Sequence, residues 1–345
     1  MTSLHSASPR PTSPRRVYLA LGSNLGDRGA HLRAAVRGLR AGGVDIDAAS
    51  SLYETPPWGV THQPAFLNAV VGSVSALTAR ELLVLAKRIE ADAGRDFTAE
   101  RWTARPVDVD IALIEGETVA EPDLVVPHAL LAERSFVLVP LAEIAGSVAH
   151  PLLGATIEEL RDARPGSERD EVVRVAGPEW AEGVRPATTA DLPALRALLR
   201  RVYVGEAYSE AVPFDAFLDG LQVDPATVVL VAAEAAEAGP VGCVCYLRVA
   251  SPLRQIAGPD EDEMRLLAVD PGLRRSGAGE RLVRACLLLA RREGRGLVLS
   301  TQPSMQAAHR LYERLGFLRQ PSRDWVTTAG RDMLVYEWPG SRRGG

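Results

Sequence analysis

The sequence predicts two successive α+β domains, because strand-like and helix-like patterns alternate on both sides of an irregular stretch. The chain has 345 residues, more than a single domain usually contains. Residues 161–182 lose hydrophobic periodicity and concentrate proline, glycine and charge, which is typical of a linker. We therefore expect domains over residues 16–160 and 183–338, a disordered tail over residues 1–15 and a flexible end over residues 339–345.

The first domain reads as a β-α-β-β-α-β series. VYLALGSN (17–24) is an apolar strand, and the helix after it begins at Asp27 and ends near Gly42. Then come an extended run, SSLYETPPWG, a strand, FLNAVVGSVSA, a helix, ARELLVLAKRIEADAG, and a strand, RPVDVDIALIEG. This order predicts a ferredoxin-like α/β sandwich.

The second domain reads as a mixed α/β fold. A short strand and a capped helix, VRPATTADLPALRALLRRVY, precede three strand signals, TVVLVAAEAA, GPVGCVCYLRV and MRLLAVDP. The helix AGERLVRACLLLARREG, the strand LVLSTQ, the helix MQAAHRLYERLG and the strand MLVYEWP complete the pattern.

Composition excludes several function classes. The net charge of −5 argues against general nucleic-acid binding, and Lys87 is the only lysine, so no phosphate loop of the GxxxxGK[ST] type exists. We find no apolar stretch of membrane-spanning length and no signal peptide, so no membrane association is expected. The three cysteines, Cys243, Cys245 and Cys286, form no disulfide framework and favour buried strand or helix positions in a cytoplasmic protein.

The stretch RPVDVDIAL (105–113) is the first candidate site. In a strand, side chains alternate faces, so Asp108 and Asp110 point the same way and would repel unless a cation or water separates them. Paired carboxylates hold Mg²⁺ in phosphoryl transfer, and Arg95, Arg101 and Arg105 could neutralise a polyphosphate. Two alternatives stay open: an edge strand with an acidic solvent face, and the sugar-nucleotide metal site of a glycosyltransferase.

Further motifs accompany this stretch in order: LGSNLGDR, YETPPWG, QPAFLNAV, RIEADAGR and VPHALLAERSFVLVPLAEI. Together they closely resemble the 6-hydroxymethyl-7,8-dihydropterin pyrophosphokinase family over residues 16–160. The resemblance implies a ferredoxin-like fold and a role in folate biosynthesis. It also implies transfer of diphosphate from ATP to the pterin hydroxymethyl group, which releases AMP.

The resemblance also implies roles for individual residues. It places two Mg²⁺ ions on Asp108 and Asp110. Phosphate transfer and ATP binding fall to Arg95, Arg105, Glu90, His128 and Arg134. Pterin binding falls to Thr55, Pro57, Phe66, Asn68 and Phe136. Taken alone, Phe66 and Phe136 would also fit core packing, and His128 would fit a turn.

The second candidate site is VDPGLRRSGAG (269–279), a strand end followed by a glycine-rich loop and a helix. Gly277 and Gly279 allow close backbone approach, the helix N-terminus offers free N–H groups to an anion, and Arg274 and Arg275 add positive charge. An ordinary tight turn is the alternative.

With AAHRLYERLGF downstream, this loop resembles the GNAT superfamily of acetyl-CoA-dependent N-acetyltransferases over residues 183–338. The resemblance implies that acetyl-CoA lies along Leu267 and Val269, with its pyrophosphate in the loop, and that Tyr312 protonates the leaving thiolate. A core-packing role for Tyr312 stays open, as does a non-catalytic acetyl-CoA-binding or regulatory role for the domain.

The sequence thus predicts a two-domain cytoplasmic enzyme. Its expected ligands are ATP, Mg²⁺, 6-hydroxymethyl-7,8-dihydropterin, acetyl-CoA and an amine acceptor of unspecified identity.

Overall fold

The computed structural model describes residues 13–57, 62–96, 98, 103–232 and 239–340. The chain divides into two compact units, Met1–Ala181 and Glu182–Gly345. Most of the predicted tail, most of the predicted flexible end, and Arg101 lie outside the described residues. Among the described residues, no helix combines the length and apolar character needed to cross a membrane.

The first unit is built on an antiparallel sheet that carries helices. Its described elements are β1 (Arg15–Ser23), α1 (Arg28–Ala41), β2 (Asp45–Ala49), β3 (Leu52–Thr55), β4 (Phe66–Ser75), α2 (Ala79–Asp92), β5 (Asp108–Ile114), β6 (Val119–Glu121), β7 (Leu124–Val126), α3 (Ser135–Ala145), α4 (Ile157–Asp162), α5 (Gly166–Asp170) and β8 (Val173–Ala176). The sheet order is β5-β1-β4-β3-β8, and β2 also pairs with β4.

The predicted α+β class is confirmed. Because β2 and β3 are consecutive and both pair with β4, they act as one interrupted strand, which leaves the β-α-β-β-α-β order intact. Helix α1 begins where the Asp27 side chain accepts a hydrogen bond from the Ala30 N–H, and α2 begins at a capping box formed by Thr78 and Glu81. Both helices therefore start at residues whose side chains satisfy free N–H groups.

The segment 161–182, predicted as a linker, is instead folded into the first unit over residues 161–181. It contains the end of α4, then α5 and β8, and β8 pairs with β3 in an antiparallel register. The two helices have only six and five residues, and β8 exposes most of its side chains at the sheet edge. Helices and strands that short and exposed produce no hydrophobic periodicity, which is why the sequence pattern resembled a linker.

The second unit is a mixed sheet with helices. Its described elements are β9 (Val184–Pro186), α6 (Leu192–Tyr203), α7 (Ala211–Asp219), β10 (Thr227–Ala232), β11 (Gly242–Leu247), β12 (Glu261–Val269), α8 (Ala278–Glu293), β13 (Gly296–Thr301), α9 (Gln306–Arg314), β14 (Leu318–Arg319), β15 (Trp325–Val326) and β16 (Asp332–Trp338). The main sheet order is β14-β16-β13-β12-β11-β10-β9.

Helix α8 packs on this sheet through a fully buried face, and the mixed α/β class predicted for this half is confirmed. Strands β12 and β13 are parallel, and their pairing extends from Glu261 to Met264 of β12. All three cysteines are free and buried, as expected for β11 and α8 positions that face the core.

Candidate functional site

A cleft in the first unit brings together eight of the predicted site residues around about 640 Å³ of space open to solvent. They come from β3, β4, β5 and α3 and from the segment before β5. Those eight are Thr55, Phe66, Asn68, Arg105, Asp108, Asp110, Arg134 and Phe136. Three more predicted residues reach this set through direct contacts with the aspartates or with their strand: Glu90, Arg95 and His128.

Strand β5 presents its two aspartates on the cleft side. Asp108 and Asp110 are partly exposed, whereas Val109 and Ile111 are buried on the other face. In the sheet register, Asp108 lies opposite Gly22 and Asp110 opposite Ala20 of β1. Strand alternation therefore places both carboxylates over small β1 residues, where a ligand can approach them.

The Asp108 carboxylate lies between two guanidinium groups. Arg95 Nη1 is 2.5 Å from Asp108 Oδ1, and Arg105 Nη2 is 2.7 Å from Asp108 Oδ2. Burial alone would raise the pKa of Asp108, but the positive charges of Arg105 and Arg95 hold this pKa below its ordinary value. Asp108 is therefore ionised at neutral pH.

Asp110 has more distant partners. Its Oδ2 lies 3.6 Å from Arg134 Nη1 and 4.0 Å from His128 Nε2. Burial and then the neighbouring charge of Asp108 raise the pKa of Asp110 to about 7. Asp108 is thus ionised near neutrality, whereas Asp110 is partly protonated there, because it is buried and adjoins the charge of Asp108.

This carboxylate pair fits a divalent cation. The described residues contain no cluster of three or more acidic, histidine or cysteine ligands. Mg²⁺, however, is often bound by one or two carboxylates together with waters and substrate phosphates. A cation here would relieve the repulsion that raises the pKa of Asp110, and Asp108 and Asp110 are the residues that would hold it.

Glu90 supports β5 from behind. This carboxylate is fully buried; its Oε1 accepts a hydrogen bond from the Val109 N–H at 3.0 Å and lies 2.8 Å from Arg95 Nη1. Lys87 Nζ is 2.9 Å from the other oxygen. Glu90 therefore fixes both the strand between the aspartates and the arginine that contacts Asp108.

His128 is a neutral imidazole at the edge of the aspartate pair. Burial, followed by the positive charge of Arg134, lowers the pKa of His128 to about 4. Its Nδ1 accepts a hydrogen bond from the Leu130 N–H at 3.1 Å, and its Nε2 lies 3.3 Å from Arg134 Nη1. His128 therefore lies against the guanidinium that also faces Asp110.

The opposite end of the cleft combines an amide with aromatic rings. Asn68 is buried and donates from Nδ2 to Thr55 Oγ1 at 2.8 Å, which leaves its Oδ1 facing Gly22. The Arg105 guanidinium lies 5.7 Å from the centroid of the Phe66 ring, and that of Arg134 lies 5.6 Å from the Phe136 ring. Each ring is therefore directly beside a cation of the charged end.

Pro57 lies in a neighbouring pocket that shares Thr55, Pro56 and Phe136 with the main cleft, and Pro57 itself does not line the cleft. Sequence reasoning missed Pro56, Gln63 and Asn24. Asn24 accepts a hydrogen bond from the Arg105 N–H at 2.8 Å and donates to Gln63, so it ties the arginine segment to the loop before β4. The sequence did offer a signal for Asn24, which directly follows an apolar strand. A polar side chain that is buried at such a position usually forms hydrogen bonds.

In the second unit, the glycine-rich loop lies against the end of β12. Gly277 adopts φ +80° and caps α8, a conformation that favours glycine. A Cβ on Gly279 would lie 3.5 Å from Val269 Cγ2, so the loop passes close to that strand end. Leu267 and Val269 pack partly against the core, and Arg274 forms an ion pair with Glu206.

Arg275 also adopts a positive φ of 72°, so the whole turn before α8 is tightly wound. Tyr312 lies on α9 and is 5% exposed, with its ring 5.8 Å from Phe317 and 6.0 Å from Tyr336 between centroids. Burial raises its pKa, so the hydroxyl keeps its proton at neutral pH. These contacts fit the core-packing role, and the proton-donor role stays a prediction.

Comparison with known proteins agrees with this geometry. Residues 18–146 match the sequence model of the 7,8-dihydro-6-hydroxymethylpterin-pyrophosphokinase family, and residues 192–317 match that of the acetyltransferase (GNAT) family. The 2-amino-4-hydroxy-6-hydroxymethyldihydropteridine pyrophosphokinase of Methylorubrum extorquens is 46% identical over 145 residues, which cover 42% of this chain and 90% of that protein.

Two more proteins, one compared by sequence and one by structure, are similar to parts of this chain. The mitochondrial folate synthesis bifunctional protein of Arabidopsis thaliana is 43% identical over 136 residues, covering 39% of this chain and 24% of that protein. The crystal structure of the ribosomal-protein-S18-alanine N-acetyltransferase from Escherichia coli is 22% identical, covers 47% of this chain and 95% of that one, and superposes with a TM-score of 0.36.

Neither the glycosyltransferase alternative nor a non-catalytic second domain is favoured by these matches. The cleft residues lie in β3, β4, β5 and their neighbours, within or at the edges of the matched range. Through its first unit the chain therefore belongs to the 7,8-dihydro-6-hydroxymethylpterin-pyrophosphokinase family, and residues 192–317 of its second unit are similar to the acetyltransferase (GNAT) family.

Proposed function

We propose that the first unit transfers the diphosphate of ATP to 6-hydroxymethyl-7,8-dihydropterin and releases AMP. One observation carries this proposal: a carboxylate pair surrounded by guanidinium groups adjoins an amide-and-aromatic surface within one cleft. The carboxylates and guanidinium groups suit a polyphosphate with its metal ions, and the amide-and-aromatic surface suits a flat heteroaromatic ring. The reaction requires both to meet at the hydroxymethyl oxygen.

In this proposal each end has a defined task. Phe66 and Phe136 bind the faces of the pterin, while Asn68, held by Thr55, offers its amide to the ring edge. Arg95, Arg105 and Arg134 spread the charge that builds on the transferred group, and His128 lies beside Arg134 at this end of the cleft. The pterin hydroxyl oxygen forms a bond to the β-phosphorus and releases its proton to water, while the bond from that phosphorus to the α-phosphate oxygen breaks and AMP leaves.

Asp108 and Asp110 would hold the divalent cations in this proposal. Bound there, Mg²⁺ would neutralise part of the charge of the phosphates. The residues of the chain then contribute position: Glu90 keeps β5 and Arg95 fixed, so that the two carboxylates and the guanidinium face the same phosphates.

Incubation of the full chain with ATP, Mg²⁺ and the pterin should yield AMP and the pterin diphosphate. Asp110→Ala should abolish turnover while the protein keeps its thermal melting transition. Val84→Ala, at an exposed position on α2, is the matched control and should keep full activity. Formation of ADP, or full activity in Asp110→Ala, would contradict the proposal.

For the second unit we propose acetyl transfer from acetyl-CoA to an amine, with Tyr312 as proton donor to the thiolate. The close approach of Gly279 to Val269 and the wound turn at Gly277 support the cofactor site. Acetyl-CoA should raise the melting temperature of the full chain, and Gly277→Trp should remove that rise. If acetyl-CoA does not stabilise the unmodified protein, the second unit lacks the cofactor site. A cytoplasmic location remains a prediction.

A further inference from the structure

Residues 164–180 form a folded segment of the first unit, which we call the strap. The strap lies after residue 146, where the match to the family ends. Its strand β8 pairs with β3, with Arg174 opposite Tyr53 and Val173 opposite Glu54. Trp180 is buried and donates its indole N–H to the Ser50 carbonyl at 2.9 Å. The strap thus pairs with β3 over Leu52–Glu54 and also binds the chain just before that strand, at Ser50.

The strap also contacts the start of α3. Ser135 Oγ donates to Glu168 Oε2 at 3.1 Å, and Arg164 Nη2 lies 2.8 Å from the same oxygen. Ser135 is buried and immediately precedes Phe136. One strap residue therefore fixes the helix start that carries an aromatic wall of the cleft.

A second pocket lies between these two contacts. Thr55, Pro57 and Phe136 line it on the side of the cleft, and Glu168, Glu171 and Val172 of the strap line the other side. Thr55 and Phe136 belong to both pockets. The strap therefore forms the outer support of the same two walls that enclose the pterin in the proposed function.

We propose that the strap is a positioning element for the pterin. This rests on the proposed pyrophosphokinase function and extends it to residues outside the family match. Thr55 ends β3 and accepts the hydrogen bond that orients Asn68, so a shift of β3 changes the direction of the Asn68 amide. At the aspartate end, β5 and Arg95 are held by Glu90, and Arg105 is held by Asn24, so the strap acts chiefly on the pterin end of the cleft.

Two substitutions in the full chain test this. Trp180→Phe keeps an aromatic ring but removes the indole N–H that donates to the Ser50 carbonyl. Ser135→Ala removes the hydroxyl that donates to Glu168. Each should raise KM for the pterin about two- to tenfold, the effect of one lost hydrogen bond, and should leave KM for ATP within about twofold. Val175→Ala, at an exposed strap position, should change neither constant.

Thermal melting identifies any variant that fails to fold. The pterin KM of the variant that does fold then tests the proposal. An unchanged pterin KM in a folded variant overturns the proposal, as does an equal rise in both KM values. If the unmodified chain itself forms no AMP and no pterin diphosphate, the proposed function has failed. Normal turnover with unchanged pterin KM in both variants would refute the strap alone.

Discussion

Lowering the pH from 8 to 6 should weaken divalent-cation binding by the first unit about tenfold. A carboxylate must lose its proton before it binds a metal ion, and burial beside Asp108 raises the pKa of Asp110 from 3.8 to about 7. With that pKa, about nine-tenths of Asp110 is ionised at pH 8 and about one-tenth at pH 6. Asp108 stays ionised over this range, because Arg105 and Arg95 keep its pKa low.

Mn²⁺ titration followed by electron paramagnetic resonance measures this without nucleotide, whose phosphates would titrate in the same range. Asp110→Asn should bind Mn²⁺ weakly and without the pH dependence. The same proton affects stability in the metal-free protein. Since the folded state keeps a proton that the unfolded state releases, the unfolding free energy should fall as pH rises from about 4 to about 7. Equal Mn²⁺ affinity at pH 6 and pH 8 would refute this reasoning.

Three further predictions follow from single contacts. Glu90→Leu should lower the unfolding free energy by about 1–3 kcal/mol in urea denaturation, because the Val109 N–H loses its buried acceptor. The exposed control Arg88→Ala should leave the denaturation midpoint unchanged, and an unchanged midpoint in Glu90→Leu would contradict the prediction. Gly22→Ala should raise KM for the pterin about tenfold in steady-state kinetics, because its methyl would lie 3.0 Å from Asn68 Oδ1; an unchanged pterin KM would mean that Asn68 adjusts freely. Glu206→Gln should tighten acetyl-CoA binding about two- to fivefold by calorimetry, because it releases Arg274 from an exposed ion pair; weaker binding would show that Glu206 itself supports the cofactor site.

The sequence was sufficient for the strand order and for the carboxylate pair, because both depend on local patterns. Alternation along RPVDVDIAL already placed Asp108 and Asp110 on one face, and the structure has them there. The pairing of Asp110 with Arg134 and His128 was beyond local reasoning. Those contacts depend on where the β7–α3 connection meets β5, at the hydrogen bond from the His128 N–H to the Ala112 carbonyl, which no residue spacing indicates.

The fold of the strap, in contrast, could not be predicted from the sequence pattern. Its short helices and exposed edge strand bury little apolar surface, so hydrophobic periodicity did not reveal them. Their stability comes from long-range contacts such as Trp180 to Ser50 and Ser135 to Glu168. Similarly, Glu90 was expected to contact ATP from its motif, whereas the structure places it in the interior as a support for β5. Its direct contact with ATP remains a prediction.

Phosphorus NMR of one reaction tests the central claim most directly. The full chain is mixed with ATP, Mg²⁺ and 6-hydroxymethyl-7,8-dihydropterin, and the phosphorus resonances are followed to completion. Transfer of the diphosphate predicts the AMP resonance together with two coupled resonances of a pterin diphosphate, in a one-to-one ratio. Resonances of ADP with a pterin monophosphate, or of ATP alone, would contradict the account.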